Sequence, residues 1–410
     1  MLIAAPMAFS SGEKEAASEG GSQSNKLVIN SNWSDPEPKR VMNEVISMYK
    51  EENPNMDVTL NTFAHEDFKT LIRTWLASDE APDVATWFAG ERMRFFASKG
   101  LLEPLTGVFE GGFEEHFPPA FRTASSYDGE VYFMPENWYW WGVYYRQSVF
   151  EEMGLEEPET WEEFMEVAET FKENDMTPIT IGTKFQWTAA GWFDYLNLRI
   201  NGLDFHQQLT AGEIPYNDPR VQEVFDTWSQ LVENDYFLEN HSSFSWQEAA
   251  TRLFNGNAGM YLMGQFIKDS APNEEVSEDL DFFRFPVINE DVGVYEETPI
   301  DGFMIPSAAE NKQNAADFLR FMATPEMQRF VAEELGRLAA NKNVEPPNAH
   351  ARKGLEMILE SDGVMQFYDR DTNPEMAQAG MNAFVQFMTN PGQTTQILDN
   401  LEQERQSVYE

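Results

Sequence analysis

The chain has 410 residues, more than one ordinary core accommodates, so two or more domains are expected. Seventy acidic residues against 28 basic ones give a net charge of −42, a field that repels phosphate backbones and anionic membranes and so argues against nucleic-acid and membrane-surface binding. The absence of cysteine removes disulfides, thiolate metal sites and cysteine nucleophiles together. In chain order, residues 2–9 are a short apolar run, and Ala8 and Ser10 are small residues spaced like a signal-peptidase site, which predicts the tail of an export signal at 1–10. Residues 11–25 are rich in Gly, Ser and Glu and are expected to be a disordered tether. From Lys26 strand-like and helix-like patterns alternate. Leu27-Val28-Ile29 predicts a strand, and Val41, Val45, Ile46 and Tyr49 recur at helical spacing. Residues 55–62 alternate as a strand, 66–77 carry Phe68, Leu71, Ile72 and Trp75 on one helical face, and 82–87 form a short buried strand. This succession implies βαβ units and a mainly parallel sheet.

The middle, 150–267, is helix-rich. Thr160 and Glu163 match a capping box, and residues 253–263 read as a helix end, a Gly-Asn turn and a buried strand. Residues 281–288 predict another strand, and 314–322 and 325–335 two helices, the second with Pro at its start. No stretch past the first residues approaches the roughly 18 apolar residues of a membrane span.

Eight segments, in this order, carry a resemblance: PDVATWF at 82–88, GLLEPL at 100–105, DGEVYFMP at 128–135, VYYRQSVFEEMG at 143–154, PETWEEF at 158–164, LFNGNAGMYLMGQF at 253–266, FRFPVI at 283–288, and a long run at 301–328 that starts DGFMIPS. The chain thereby resembles the extracellular solute-binding proteins of carbohydrate ABC importers, the family that includes maltose-binding protein. The resemblance implies an α/β fold of two lobes, each a mainly parallel sheet flanked by helices, with ligand between them. It implies crossings near 136–140, 298–302 and 340–344, lobe one at 26–137 plus 301–342, and lobe two at 141–298 plus 345–410. It also implies an exported, non-enzymatic, monomeric receptor that needs no cofactor and hands its sugar to a membrane permease by hinge closure.

Sugars present apolar C–H faces and rings of hydroxyls, so a site needs flat aromatics and a few fixed polar groups. The densest aromatic cluster, Trp138-Tyr139-Trp140-Trp141, follows Glu136 and Asn137 at the first crossing. Neighbours on an extended chain alternate faces, so about half should face the cleft; Trp138 and Trp140 are taken as the platform, with Glu136 and Asn137 as polar neighbours. Trp33 and Asp35 follow the first strand, His65 and Glu66 the second, and Trp87 ends the third, all at carboxyl ends where ligands collect in open sheets. Trp187, Trp192 and Asp194 are expected to close the other side. Gln265 and Phe266 stand where many relatives carry Gly-Ser-Trp or Gly-Pro-Trp, the resemblance making Phe266 the stacking ring. Asp301 follows the second crossing, and Arg337 offers a planar fork of donors, or else pairs locally with Glu333 or Glu334.

Other chemistries find less support. The five histidines are scattered without zinc-type spacing, so no metal site is expected. Asp369-x-Asp371-x-Asn373 starts like a calcium loop, but Pro374 stands where the turn glycine belongs. Two rival readings remain open. Aromatics in an acidic protein also suit a quaternary ammonium solute such as a betaine, and a carbohydrate-active enzyme would need only two of the 70 carboxylates. The dispersed acid is expected to be an adaptation to a salty environment.

Overall fold

The computed structural model describes residues 24–78, 80–109 and 111–410; the expected export signal and all but the last two residues of the expected tether lie outside them. Strand β1 (Lys26–Ser31) is followed by β2 (Asp57–Thr62), β3 (Val84–Phe88), the small hairpin β4 (Ser126–Tyr127) with β5 (Glu130–Val131), and β6 (Met134–Trp138). The chain continues directly into β7 (Trp141–Arg146), then β8 (Thr177–Ile179), β9 (Ala258–Gly264) and β10 (Leu280–Phe283). It ends with β11 (Tyr295–Glu297), β12 (Ile300–Met304), β13 (Leu338–Ala339) and β14 (Gly363–Met365).

Two separate sheets organise two lobes. One has the order β13-β6-β12-β3-β1-β2, the other β10-β7-β9-β8. Each has its own hydrophobic core. The first is drawn from residues between Leu27 and Met134 and between Ile300 and Ala340. The second is drawn from residues between Tyr139 and Phe285, then Leu338 and residues from Ala351 to Leu401. The chain therefore passes between the cores more than once, because neither half of the sequence alone supplies one core.

Local signals explain the elements around the cleft. In the helix Pro36–Glu52, Val41, Met42, Val45, Ile46 and Tyr49 are buried at helical spacing, and Pro occupies the first turn, where its missing N–H costs nothing. The helix Trp161–Glu173 carries the full capping box from Thr160 and Glu163. The strand expected at 281–288 stops at Phe283; Pro286 has no N–H to give a ladder, and Val287 makes only an isolated bridge to Thr160.

The expectation of mainly parallel sheets is corrected. β1 runs parallel to β2 and β3, but β12 runs antiparallel to both β3 and β6, and β13 antiparallel to β6. In the second sheet β7 is antiparallel to β9 and β10, and only β8 and β9 are parallel. The reason is the traffic between lobes. β3 and β6 run towards the cleft, so a strand such as β12 that returns from it lies against them head to tail. βαβ patterning in sequence reports only the strands joined within one lobe.

Candidate functional site

The loops at the cleft ends of these strands enclose a cavity of about 120 Å³ between the two sheets. The six-stranded lobe contributes Asn32, Trp33 and Asp35 after β1, His65 and Lys69 on the helix His65–Leu76 after β2, and Thr86, Trp87 and Phe88 at the end of β3. Asp301 and Gly302 on β12 and Arg337 before β13 complete that side. The four-stranded lobe contributes a wall of rings: Trp141, Trp187, Trp246, Phe266 and Phe367. Tyr139, between β6 and β7, also lines the cavity.

The rings of this wall are fixed by one another. Trp141 stacks on Phe367 at 4.8 Å between centroids, and Trp246 meets Phe266 edge-on at 5.3 Å. Trp187 lies 6.0 Å from Trp141 and 6.2 Å from Phe266. Such offset and edge-on pairs are the favoured arrangements of ring quadrupoles, so the wall is rigid before any ligand arrives. Gln186, immediately before Trp187, has φ 69°, a left-handed conformation rarely held by a residue with a Cβ. Its side-chain oxygen accepts a hydrogen bond of 2.7 Å from Gln378.

The opposite wall mixes the rings of Trp33, Trp87 and Phe88 with polar groups, and the charges around the cavity are paired across the cleft. Arg337 bonds Asp269 of the other lobe, and Arg92 bonds Asp369. Arg370 meets Asp301 at 2.8 Å and donates to the Tyr139 hydroxyl at 3.0 Å. Trp187 Nε1 donates to Glu66 Oε1 at 3.2 Å, and the same oxygen takes the Lys69 ammonium at 3.3 Å. Asp369, which burial alone would raise, is held below the usual carboxylate range by Arg92, Lys69 and Arg370. Burial, with Lys69, Arg370 and Arg92 nearby, pushes the His65 imidazole far below its ordinary value, so it is neutral. Burial likewise raises Asp35, against the hydrogen bond from Gln247 and the charge of Arg337.

Two polar atoms stand out. Arg337 Nε and Trp141 Nε1 are buried without a hydrogen-bond partner, although both side chains line the cavity. Buried donors ordinarily find acceptors, so these two are exceptions among the residues that line the cavity. Among the described residues no cluster of three or more His, Asp or Glu is placed to hold a metal ion.

Of the residues chosen from sequence, Trp33, Asp35, His65, Trp87, Trp187, Phe266, Asp301 and Arg337 line the cavity. Glu66 stands behind it as the acceptor for Trp187. The aromatic quartet has the opposite parity to the one expected. Tyr139 and Trp141 face the cavity, whereas Trp140 is fully buried between Phe282 and His350, and Trp138 packs on Phe121 and donates to the Ala339 carbonyl at 3.1 Å. Glu136 and Asn137 are buried in β6 and bond each other. Trp192 belongs to the core, among Phe164, Phe237 and Phe285.

Two of the chosen residues act one step removed. Asp194 accepts a 2.8 Å hydrogen bond from the backbone of Tyr368, and so anchors the short helix Tyr368–Asp371 that presents Asp369 and Arg370. Gln265 donates to the carbonyls of Leu335 and Gly336 at 3.3 and 3.2 Å, holding the loop that presents Arg337. Arg337 itself reaches neither Glu333 nor Glu334; Glu334 pairs with Arg40 at 2.7 Å.

Sequence reasoning misses Lys69, Trp246, Gln247, Asp269, Phe367, Asp369 and Arg370. For four of these a signal existed. The Asp-x-Asp-x-Asn run set aside as a failed calcium loop is the segment that carries Asp369 and Arg370, and Trp246-Gln247 opens a helix with its own capping box from Ser245 and Glu248.

The profile of the family described as bacterial extracellular solute-binding protein matches residues 32–329. The solved structure of the bacterial solute receptor AcbH, described as having an exclusive preference for β-D-galactopyranose, superposes with a TM-score of 0.90 at 32% identity, over 94% of this chain and 99% of that one. An uncharacterised ABC transporter extracellular-binding protein of Pyrococcus horikoshii is 24% identical, over 78% of this chain and 73% of its own. The osmoprotective compounds-binding protein of Synechocystis is 24% identical, over 82% of this chain and 83% of its own.

Proposed function

The chain belongs to the bacterial extracellular solute-binding proteins, and from that premise we propose that it captures a neutral carbohydrate and delivers it to an ABC importer. The observation that carries the reading is a cavity that sets a wall of rings beside fixed polar groups. One lobe offers a rigid wall of Trp141, Trp187, Trp246, Phe266 and Phe367 for the apolar C–H face of a sugar. The other offers Asn32, Asp35, His65, Asp301 and Arg337 for its hydroxyls. The cavity's charges are already matched, Arg337 by Asp269 and Arg370 by Asp301, so a ligand with no net charge leaves that balance intact.

A betaine fits less well. Its ammonium needs free ring faces, but the Arg370 guanidinium already lies 4.4 Å from the Phe88 centroid, and the Lys69 ammonium 5.9 Å from those of Phe88 and Trp187. Catalysis is not part of the reading either. Asp269, Asp301 and Asp369 each hold an arginine, whereas a glycosidase needs one carboxyl free to donate a proton and another free to attack or activate water.

In this reading the protein is exported and monomeric. Lobe one is 26–137 plus 301–342, lobe two is 141–298 plus 345–410, and the crossings near 136–140, 298–302 and 340–344 act as the hinge. Ligand contacts both lobes at once and so favours the closed state, which the permease recognises. The decisive experiment is titration of the purified protein with sugars and with glycine betaine, read by tryptophan fluorescence. A saturable change with a sugar, and none with betaine, is the expected result; the reverse would overturn the reading.

A further inference from the structure

We infer that the cleft is built for a single sugar ring, and that contacts bridging the two lobes around the cavity exclude a second. The inference deepens the carbohydrate reading and rests on it. The first support is size. The cavity is about 120 Å³; an apolar cavity of roughly 150 Å³ holds one benzene ring, and sites for drug-sized ligands run to roughly 300–1,000 Å³. One six-membered ring is on that scale, and two linked rings are not.

The second support is the way the perimeter is closed. Five successive points of one lobe reach across to the other, two of them to the same short helix, Tyr368–Asp371. Asp35, at the start of the helix Pro36–Glu52, is hydrogen-bonded by Gln247. Glu66, in the first turn of the next helix, takes Trp187 Nε1. Arg92, in the first turn of the helix Glu91–Ala97, takes Asp369. Asp301 on β12 takes Arg370, and Arg337 takes Asp269. A longer saccharide would have to leave the cavity between two of these contacts and break at least one. The ion pairs are largely shielded: Arg337 and Asp269 expose 10% and 7% of their side chains, and Arg370 exposes 10%. Breaking such a pair leaves a charge desolvated and unmatched, so the barrier to a second ring is electrostatic as well as steric.

The test is calorimetric titration of the full chain with D-galactose, D-glucose, D-mannose, D-xylose and L-arabinose, and with lactose, melibiose, maltose, xylobiose and raffinose. At least one monosaccharide should bind about 100-fold or more tighter than every larger sugar that contains it, the factor expected from one broken buried pair. A disaccharide or trisaccharide that binds as tightly as its monosaccharide would overturn the single-ring inference while leaving the carbohydrate reading standing. Binding of no sugar of any size would instead remove the carbohydrate reading, and this inference with it. A second measurement addresses the contacts themselves. In the double variant Gln247→Ala, Asp269→Ala, which opens the perimeter at one place, the preference for one ring should narrow by about tenfold or more. An unchanged preference in a folded variant would overturn the assignment of the size limit to these contacts.

Discussion

Glu136 shows how a residue can matter to the site without touching it. It lies buried on β6, hydrogen-bonded by Asn137, with the charges of Arg337 and Asp301 nearby. Burial raises its carboxyl to about 7, against the hydrogen bond from Asn137 and the charge of Arg337, and with the help of Asp301. The folded state therefore holds more protons at this group than the unfolded state between pH 4.5 and about 7. Its stability contribution is complete below that window and is lost as pH rises through it. Glu136→Gln keeps the neutral shape and cannot ionise. Between pH 5 and pH 8 the variant should therefore gain stability over the parent, by up to about 3 kcal/mol. Urea denaturation at the two pH values measures this, and parallel behaviour of the two proteins would refute the assignment. The residues most legible in sequence were those at or just beyond the carboxyl end of a strand, such as Trp87 and Trp33. Asp269 and Arg370 were not, because their partners lie 68 and 69 positions away and no local pattern announces them.

The strands β6 and β7 carry the lesson at the scale of the element. Alternation along an extended chain was readable, and it does divide Trp138-Tyr139-Trp140-Trp141 between two sides. Which pair faces the cleft depends on how the strands are registered. Trp138 pairs with Ile300 and Leu338, and Trp141 with Gly264, so the side chains turn with their neighbours in the two sheets. A shift of one residue would have exchanged the faces. Glycine reinforces the outcome: a Cβ at Gly354 would run into the Trp140 ring, so the helix Ala349–Leu359 can approach only because nothing is there. The consequence can be measured. Trp140→Ala should cost about 3–5 kcal/mol of stability and leave sugar affinity within about threefold. Trp141→Ala should weaken affinity by about tenfold or more, the loss of one stacking platform, as well as destabilising the lobe. If the two variants exchanged these effects, the parity seen in the structure would be wrong.

For the molecule as a whole, two properties are independent of each other: the matched charges of the cleft and the unmatched net charge of the chain. Even if every one of the 28 basic residues took a separate acid, the net charge of −42 would remain. That excess repels itself at low ionic strength and is screened within roughly 3 Å in molar salt. The midpoint of thermal unfolding should therefore rise by about 3 °C or more between low and 1 M salt, the change that roughly 1 kcal/mol produces in lobes of this size. A flat or falling midpoint in a salt series would remove salt adaptation as the explanation of the acid.

The sequence by itself determined the α/β alternation, the wealth of aromatics and, through its contiguous motifs, the family, and the two-lobed plan came with that resemblance. Each of these is written in local patterning, in composition or in motifs that are contiguous along the chain. Only the tertiary structure decided the antiparallel return strands, the face that each tryptophan presents, and the pairing of Arg337 with Asp269 and of Arg370 with Asp301. Those are properties of register and of approach between distant segments. Burial, which makes such approach favourable, acts on area and not on sequence position, so it leaves no periodic trace in the order of residues.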